Sequence, residues 1–137
     1  MALSTAIYTL LHNNATIAAV VEDRIYPGVV TFNASLPCIV YEIGDIQPNP
    51  TQDDDYVWDR VNVTVTVITT QYLLSETYAT NVRTALCRYK GTVDTEVIET
   101  IIFDGMQPGY EPDFTIGTSP TGQGAFTRTV NFTLIRT

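Results

Sequence analysis

His12 is the one histidine of the chain. It falls just past a predicted helix end with no Ser-His or Cys-His pattern beside it, so a solvated or capping role is expected rather than a general base. Asp53, Asp54 and Asp55 form an acidic run that could offer oxygen ligands to a hard cation. Consecutive aspartates in an extended loop point in different directions, and a calcium loop spaces its acids otherwise. A solvated acidic tip is the expectation. Glu111 and Asp113, in the stretch YEPD, are a carboxylate pair of the kind used in acid–base work. The proline between them favours a rigid turn instead. Gly117 to Gly124, GTSPTGQG, looks glycine-rich but lacks a phosphate-binding lysine and leads into a strand rather than a helix. Cys38 and Cys87 are expected to be two unpaired core thiols. Four Asn-x-Ser/Thr triplets, at Asn14, Asn33, Asn62 and Asn131, read as chance matches in an Asn- and Thr-rich chain. No catalytic, cofactor or metal site is expected, and the protein is read as a non-enzyme.

The elements that would position these residues follow from periodicity. Tyr56 to Thr69, YVWDRVNVTVTVIT, alternates almost strictly from Val61. Val61, Val63, Val65 and Val67 take one face; Arg60, Asn62, Thr64 and Thr66 take the other, as in a half-buried strand. Fourteen residues would span roughly 46 Å, long enough to outrun the core and leave one end free for a neighbour. Before it, Ala2 to Leu11 and Ala15 to Glu22 read as helices, the second capped by Asn14. Arg24 to Gly28 reads as a short edge strand ended by Pro-Gly. Cys38 to Ile46 forms a hairpin with the long strand across the polar loop Gln47 to Asp55. Tyr72 to Tyr89 is the main helix, with a stripe of Leu74, Tyr78, Val82, Ala85, Leu86 and Tyr89, a cap at Ser75 and a stop at Gly91. Glu96 to Met106 is a central strand, Gln107 to Gly124 a long loop, and Ala125 to Arg136 the final strand. There, Arg128 interrupts an apolar face of Phe126, Val130, Phe132 and Leu134. The fold class is α+β: a mostly antiparallel sheet of four to five strands with helices packed on one face, in a single domain over residues 1–137.

Composition narrows the function classes. Hydrophobic residues make up 45% of the chain and charged residues only 16%, so the surface relies on Thr, Asn, Ser and Gln. A thinly charged surface is weakly defended against association. Fifteen acids against seven bases give a net charge of −8. That disfavours a nucleic-acid binder, which needs clustered cations; Arg83, Arg88 and Lys90 are better read as charges near a helix C-terminus. No apolar run is long enough to cross a membrane, and no secretory leader is expected.

The opening AIYTLL helix, then RIYPG, then LPCIVYEI, resembles the start of the bacteriophage tail-completion (tail terminator, head-to-tail joining) family. The DRVNVTVTV strand, the ETYATNVRTALCRYKGTV helix with its exit, and YEPD before a final TRTVNFTLIRT strand are similar too, from about Ala2 to Arg136. The resemblance implies a structural protein of the phage neck that forms a homo-hexameric ring. Such a ring caps the tail tube protein and meets the head-closure connector, with DNA passing through its lumen and no membrane involved. Interfaces are then expected at Asp53, Asp54, Asp55, Tyr56 and Trp58 on the hairpin tip, and at Tyr110, Glu111, Asp113 and Phe114 on the second loop. The alternatives are another minor virion neck or tail protein of related fold, a small-ligand-binding α+β module, or a hydrolase built on the acids.

Overall fold

The fold is given by a computed structural model that describes residues 3–22, 24–28, 38–49, 58–69, 71–93, 96–111 and 125–136. Two short helices open it, α1 (Leu3–His12) and α2 (Ala15–Val21). On α1, Ala6, Ile7 and Leu11 are fully buried, the spacing of one helical face. Asn14 caps α2 as expected, its Oδ1 accepting from the Ile17 amide at 3.1 Å. His12 stacks on Tyr8 one turn earlier, ring centroids 5.4 Å apart, and so does not stand alone in solvent.

Six strands form one sheet in the order β1-β2-β3-β6-β5-β4. They are β1 (Ile25–Pro27), β2 (Cys38–Asn49), β3 (Trp58–Thr69), β4 (Gly91–Val93), β5 (Glu96–Glu111) and β6 (Ala125–Arg136). The α+β class and the largely antiparallel pairing hold, but four to five strands was too few and the sheet is mixed. β1 pairs parallel to β2, with Ile25 opposite Ile39. β4 forms where only a helix stop at Gly91 was expected; its three residues pair with the start of β5. β2 runs three residues beyond the expected Ile46, and β5 runs five beyond Met106 to take in Tyr110 and Glu111.

β3 organises the sheet, though not as a strand with a free end. It pairs with β2 on one side and β6 on the other along nearly its whole length. Its valines sit in register with Leu134, Phe132, Val130 and Arg128 of β6, all on one face. Val61, Val63, Val65 and Val67 are completely buried or within 1% of it. Arg136 lies opposite Asp59 in the same register, Nε to Oδ2 3.2 Å, and fixes the end of that pairing. The other face carries hydroxyls and amides that meet across strands, Thr64 to Asn131 at 3.3 Å and Thr66 to Thr129 at 3.4 Å.

The helices share one core with the valine face of the sheet. The main helix, α3 (Tyr72–Leu86), buries Ser75, Ala79, Val82 and Leu86. The expected stripe is therefore turned by about one position, because small Ser75 and Ala79 let the helix axis come close to the sheet. Ser75 is not the cap. Gln71 holds that place, and the Ser75 hydroxyl donates back to the Tyr72 carbonyl at 2.6 Å. Helix α3 also stops three residues early. Cys87 leaves helical geometry, and Arg88, at φ 64, donates its amide to the Ile101 carbonyl at 2.7 Å, pinning the exit to β5. A second, smaller cluster of Cys38, Ile68 and Ala125 packs with Tyr26 and Val40.

Candidate functional site

Register separates the expected interface residues. Trp58 opens β3 opposite Asn49, at the end of the sheet where Asp59 meets Arg136. Tyr110 lies near the end of β5, opposite Phe126, which is itself opposite Thr69 at the far end of β3. The two groups therefore occupy opposite ends of the sheet. Glu111 is the last residue of β5, opposite Ala125. Asp53, Asp54, Asp55, Tyr56, Asp113 and Phe114 lie outside the described residues.

At the Tyr110 end the structure assembles a cluster. Tyr110 and Phe126 sit 4.9 Å apart between ring centroids, and Tyr72, the first residue of α3, meets Phe126 edge-on at 5.8 Å. Such tilted and T-shaped contacts suit the ring quadrupoles. Yet the cluster is wet on its outer side: Tyr72 is 49% exposed, Tyr110 52% and neighbouring Leu73 73%. Arg128 lies just inside it, its guanidinium carbon 5.3 Å from the Tyr72 ring. In register Arg128 stands between Val67 of β3 and Pro108 of β5. Its Nε and Nη2 are closed off from solvent and make no hydrogen bond among the described residues. Sequence reasoning found Tyr110 but missed Tyr72, Leu73 and Phe126 as its partners. It noted Arg128 only as a break in an apolar pattern.

Cys38 and Cys87 are both free thiols. Burial pushes the Cys38 thiol up to about 11, against a smaller opposing pull from Arg24. Burial likewise raises the Tyr41 phenol, helped by Tyr8 and opposed by a hydrogen bond from Ser4. Among the described residues no group of three or more His, Cys, Asp or Glu is placed to hold a metal ion. The apolar gap between α2, α3 and β2, lined by Ile17, Val21, Ile39 and Tyr78, measures about 10 Å³. That is room for one water at most, far below a ligand pocket. Near the exit of α3 an open cleft is bordered by Arg83, Arg88 and Phe103, with the Arg83 guanidinium 4.0 Å over the Phe103 ring. No described helix is long and apolar enough to cross a membrane.

The described residues thus present an exposed aromatic cluster of Tyr72, Tyr110 and Phe126 beside the half-buried Arg128. The chain belongs to the tail completion protein gp17 family, whose model matches residues 5–114. It is thus a structural component of a phage tail, and its place is in the virion. A comparison with curated protein sequences gives no match. Among solved structures the chain is similar to one from the virion of a native gene transfer agent particle. The TM-score is 0.66 at 16% identity, over 99% of this chain and 96% of that one. At that identity the likeness speaks for the fold.

Proposed function

We propose that this protein completes the tail at its upper end. Identical copies, six in the favoured arrangement, close a ring on the last layer of tail tube protein and stop further growth. The other face of the ring then receives the head-closure connector, and DNA leaves the capsid through the lumen. The observation that carries this reading is the family match over residues 5–114. Two features of the molecule support it. Interface-type residues stand at opposite ends of the sheet, Trp58 at one and Tyr110 at the other, as a subunit meeting different neighbours requires. The net charge of −8 suits a protein that DNA passes without being held, since it lacks a surplus of cations to bind the backbone.

The test is native mass over a range of concentrations, with electron microscopy of what forms, alone and with purified tail tubes. Closed rings, or caps on tube ends, are expected. Particles assembled without the protein should carry overlong or unjoined tails. A protein that stays monomeric and ignores tail tubes would defeat the reading. The small gap between α2, α3 and β2 argues against a ligand-binding module at that site.

A further inference from the structure

We propose that the cleft between the exit of α3 and the open edge of β5 receives an acidic segment, and that Asp53, Asp54 and Asp55 of a second copy of this chain supply it. The proposal rests on the ring reading above and names the contact between neighbouring subunits.

The cleft sets exposed cations beside apolar side chains. Its volume is about 380 Å³, and Arg83, Arg88, Thr100, Ile102 and Phe103 border it. That lies within the roughly 300–1,000 Å³ of binding clefts. Arg83 and Arg88 are both exposed, and Ile102 is 46% exposed. Arg83, Arg88 and Lys90 are three of the chain's seven bases, gathered within one short stretch. A helix C-terminus accounts for Arg83, in the last turn of α3, but Arg88 and Lys90 lie past the helix end at Leu86. Arg88 stands at φ 64, a backbone region that favours glycine, so a long cationic side chain is kept where the backbone alone does not call for one. Among the described residues Arg24 pairs with Glu22 and Arg136 with Asp59, whereas Arg83, Arg88 and Lys90 join no ion pair. Stacking over the Phe103 ring at 4.0 Å orients the Arg83 guanidinium and leaves its edge donors for carboxylate oxygens.

The occupant follows from charge and from topology. β4 pairs only with Glu96 to Ile98, so among the described residues no strand covers the β5 side of the cleft. Nucleic acid is a poor occupant, because three cations displace few counterions and fifteen acids repel the backbone. A head-to-tail ring needs two different patches on every copy that fit one another. Asp53, Asp54 and Asp55 are the one run of three consecutive acids in the chain, and Tyr56 and Trp58 follow them. Carboxylates with aromatic residues beside them complement cations with Ile102 and Phe103 beside them. The acidic run joins β2 to β3, and β6 separates those strands from β5. Donor and receiver thus belong to different halves of the sheet, so one copy can give to the neighbour on one side and receive from the neighbour on the other.

The experiment uses three charge-reversed forms of the full chain. The cleft variant carries Arg83→Glu and Arg88→Glu; the tip variant carries Asp53→Lys, Asp54→Lys and Asp55→Lys. A control carries Glu42→Lys, Asp45→Lys and Glu76→Lys, which changes the net charge as much as the tip variant does. Native mass and electron microscopy read ring formation, alone and on tail tubes. The cleft and tip variants should each weaken assembly by about tenfold or more. Mixed in equal amounts, they should recover assembly in rings that contain both, because every contact then joins opposite charges. The control mixed with the cleft variant should form rings that leave the cleft variant out. If thermal melting shows the cleft variant unfolded, Arg88→Glu alone replaces it, since the backbone bond from Arg88 to Ile101 is kept. Rings that form equally well from the cleft and tip variants alone would overturn the proposal while leaving the ring reading intact. A mixture that fails to recover would overturn it too, whether the cleft takes the acidic run of its own subunit or a segment of another protein. Control rings that take in the cleft variant would show an effect of net charge and overturn the pairing. Wild type that assembles under no condition would overturn the ring reading and this contact with it.

Discussion

Asn14 and Glu22 bracket α2, and each has a measurable consequence. Asn14→Ala removes the side-chain acceptor for the Ile17 amide and is expected to lower stability by about 1 kcal/mol in urea unfolding. Glu22 caps the other end at φ 53, ψ −115, a backbone region that suits glycine. Glu22→Gly keeps the backbone N–H that donates to the Ala18 carbonyl and gives up only the side-chain ion pair to Arg24. It should stabilise by about 1 kcal/mol by the same measurement. Cys38 adds a pH dependence. Its thiol ionises at 9.0 ordinarily and at about 11 in the fold. Between those values the unfolded chain has lost the proton and the native one has kept it, so stability falls as pH rises from 9 to 11. A Cys38→Ala variant should show a flatter profile over that window. At this scale the Asn14 cap was legible because a cap is local, three residues from what it holds. The strain at Glu22 was not, since no residue type announces a positive φ as glycine does. Arg128 was half legible. Its charge broke an apolar alternation, but its neighbour Tyr72 is more than fifty residues away in sequence, and only the packing of α3 on the sheet brings them together.

Among the elements, β3 and β6 carry the core, and Phe132 is their largest buried side chain, edge-on to Phe103 at 6.1 Å. Phe132→Ala is expected to lower stability by about 3 to 5 kcal/mol, because the cavity lies where two strands and a helix cannot collapse into it. The strong alternation of β3 and β6 made both strands readable, valine against threonine in one and phenylalanine and leucine against threonine and asparagine in the other. β4 was not readable, since Gly91, Thr92 and Val93 show no period. The extension of β5 was hidden by Pro108 and Gly109, which break most strands. They are tolerated because, among the described residues, that part of β5 pairs only with β6, as at the edge of a sheet, where proline is commonly accepted. Pro108 also keeps that side from joining another sheet. Pro108→Val should therefore increase irregular self-association in light scattering while leaving the monomer fold intact.

For the whole molecule, fifteen acids on each copy set a balance between contact and repulsion. Assembly should be favoured when ionic strength is raised from about 0.01 M to about 0.15 M, as the screening length shrinks from about 30 Å to about 8 Å; native mass at the two salt levels checks it. The sheet order β1-β2-β3-β6-β5-β4 has a further consequence, in time rather than space. β6 lies between β3 and β5 but is the last of the three to be synthesised. A nascent chain that has reached residue 124 holds two fragments of sheet, β1 to β3 and β4 with β5, and no strand to join them. Val65 must wait for Val130 before either side of the valine core is closed. Pairings this distant in sequence make for slow folding and delay the rim of Tyr110 and Phe126 until the sheet is whole. A chain that stops short of β6 thus lacks the one strand that joins the two halves of the sheet, so the order of translation makes closure of the core the last step.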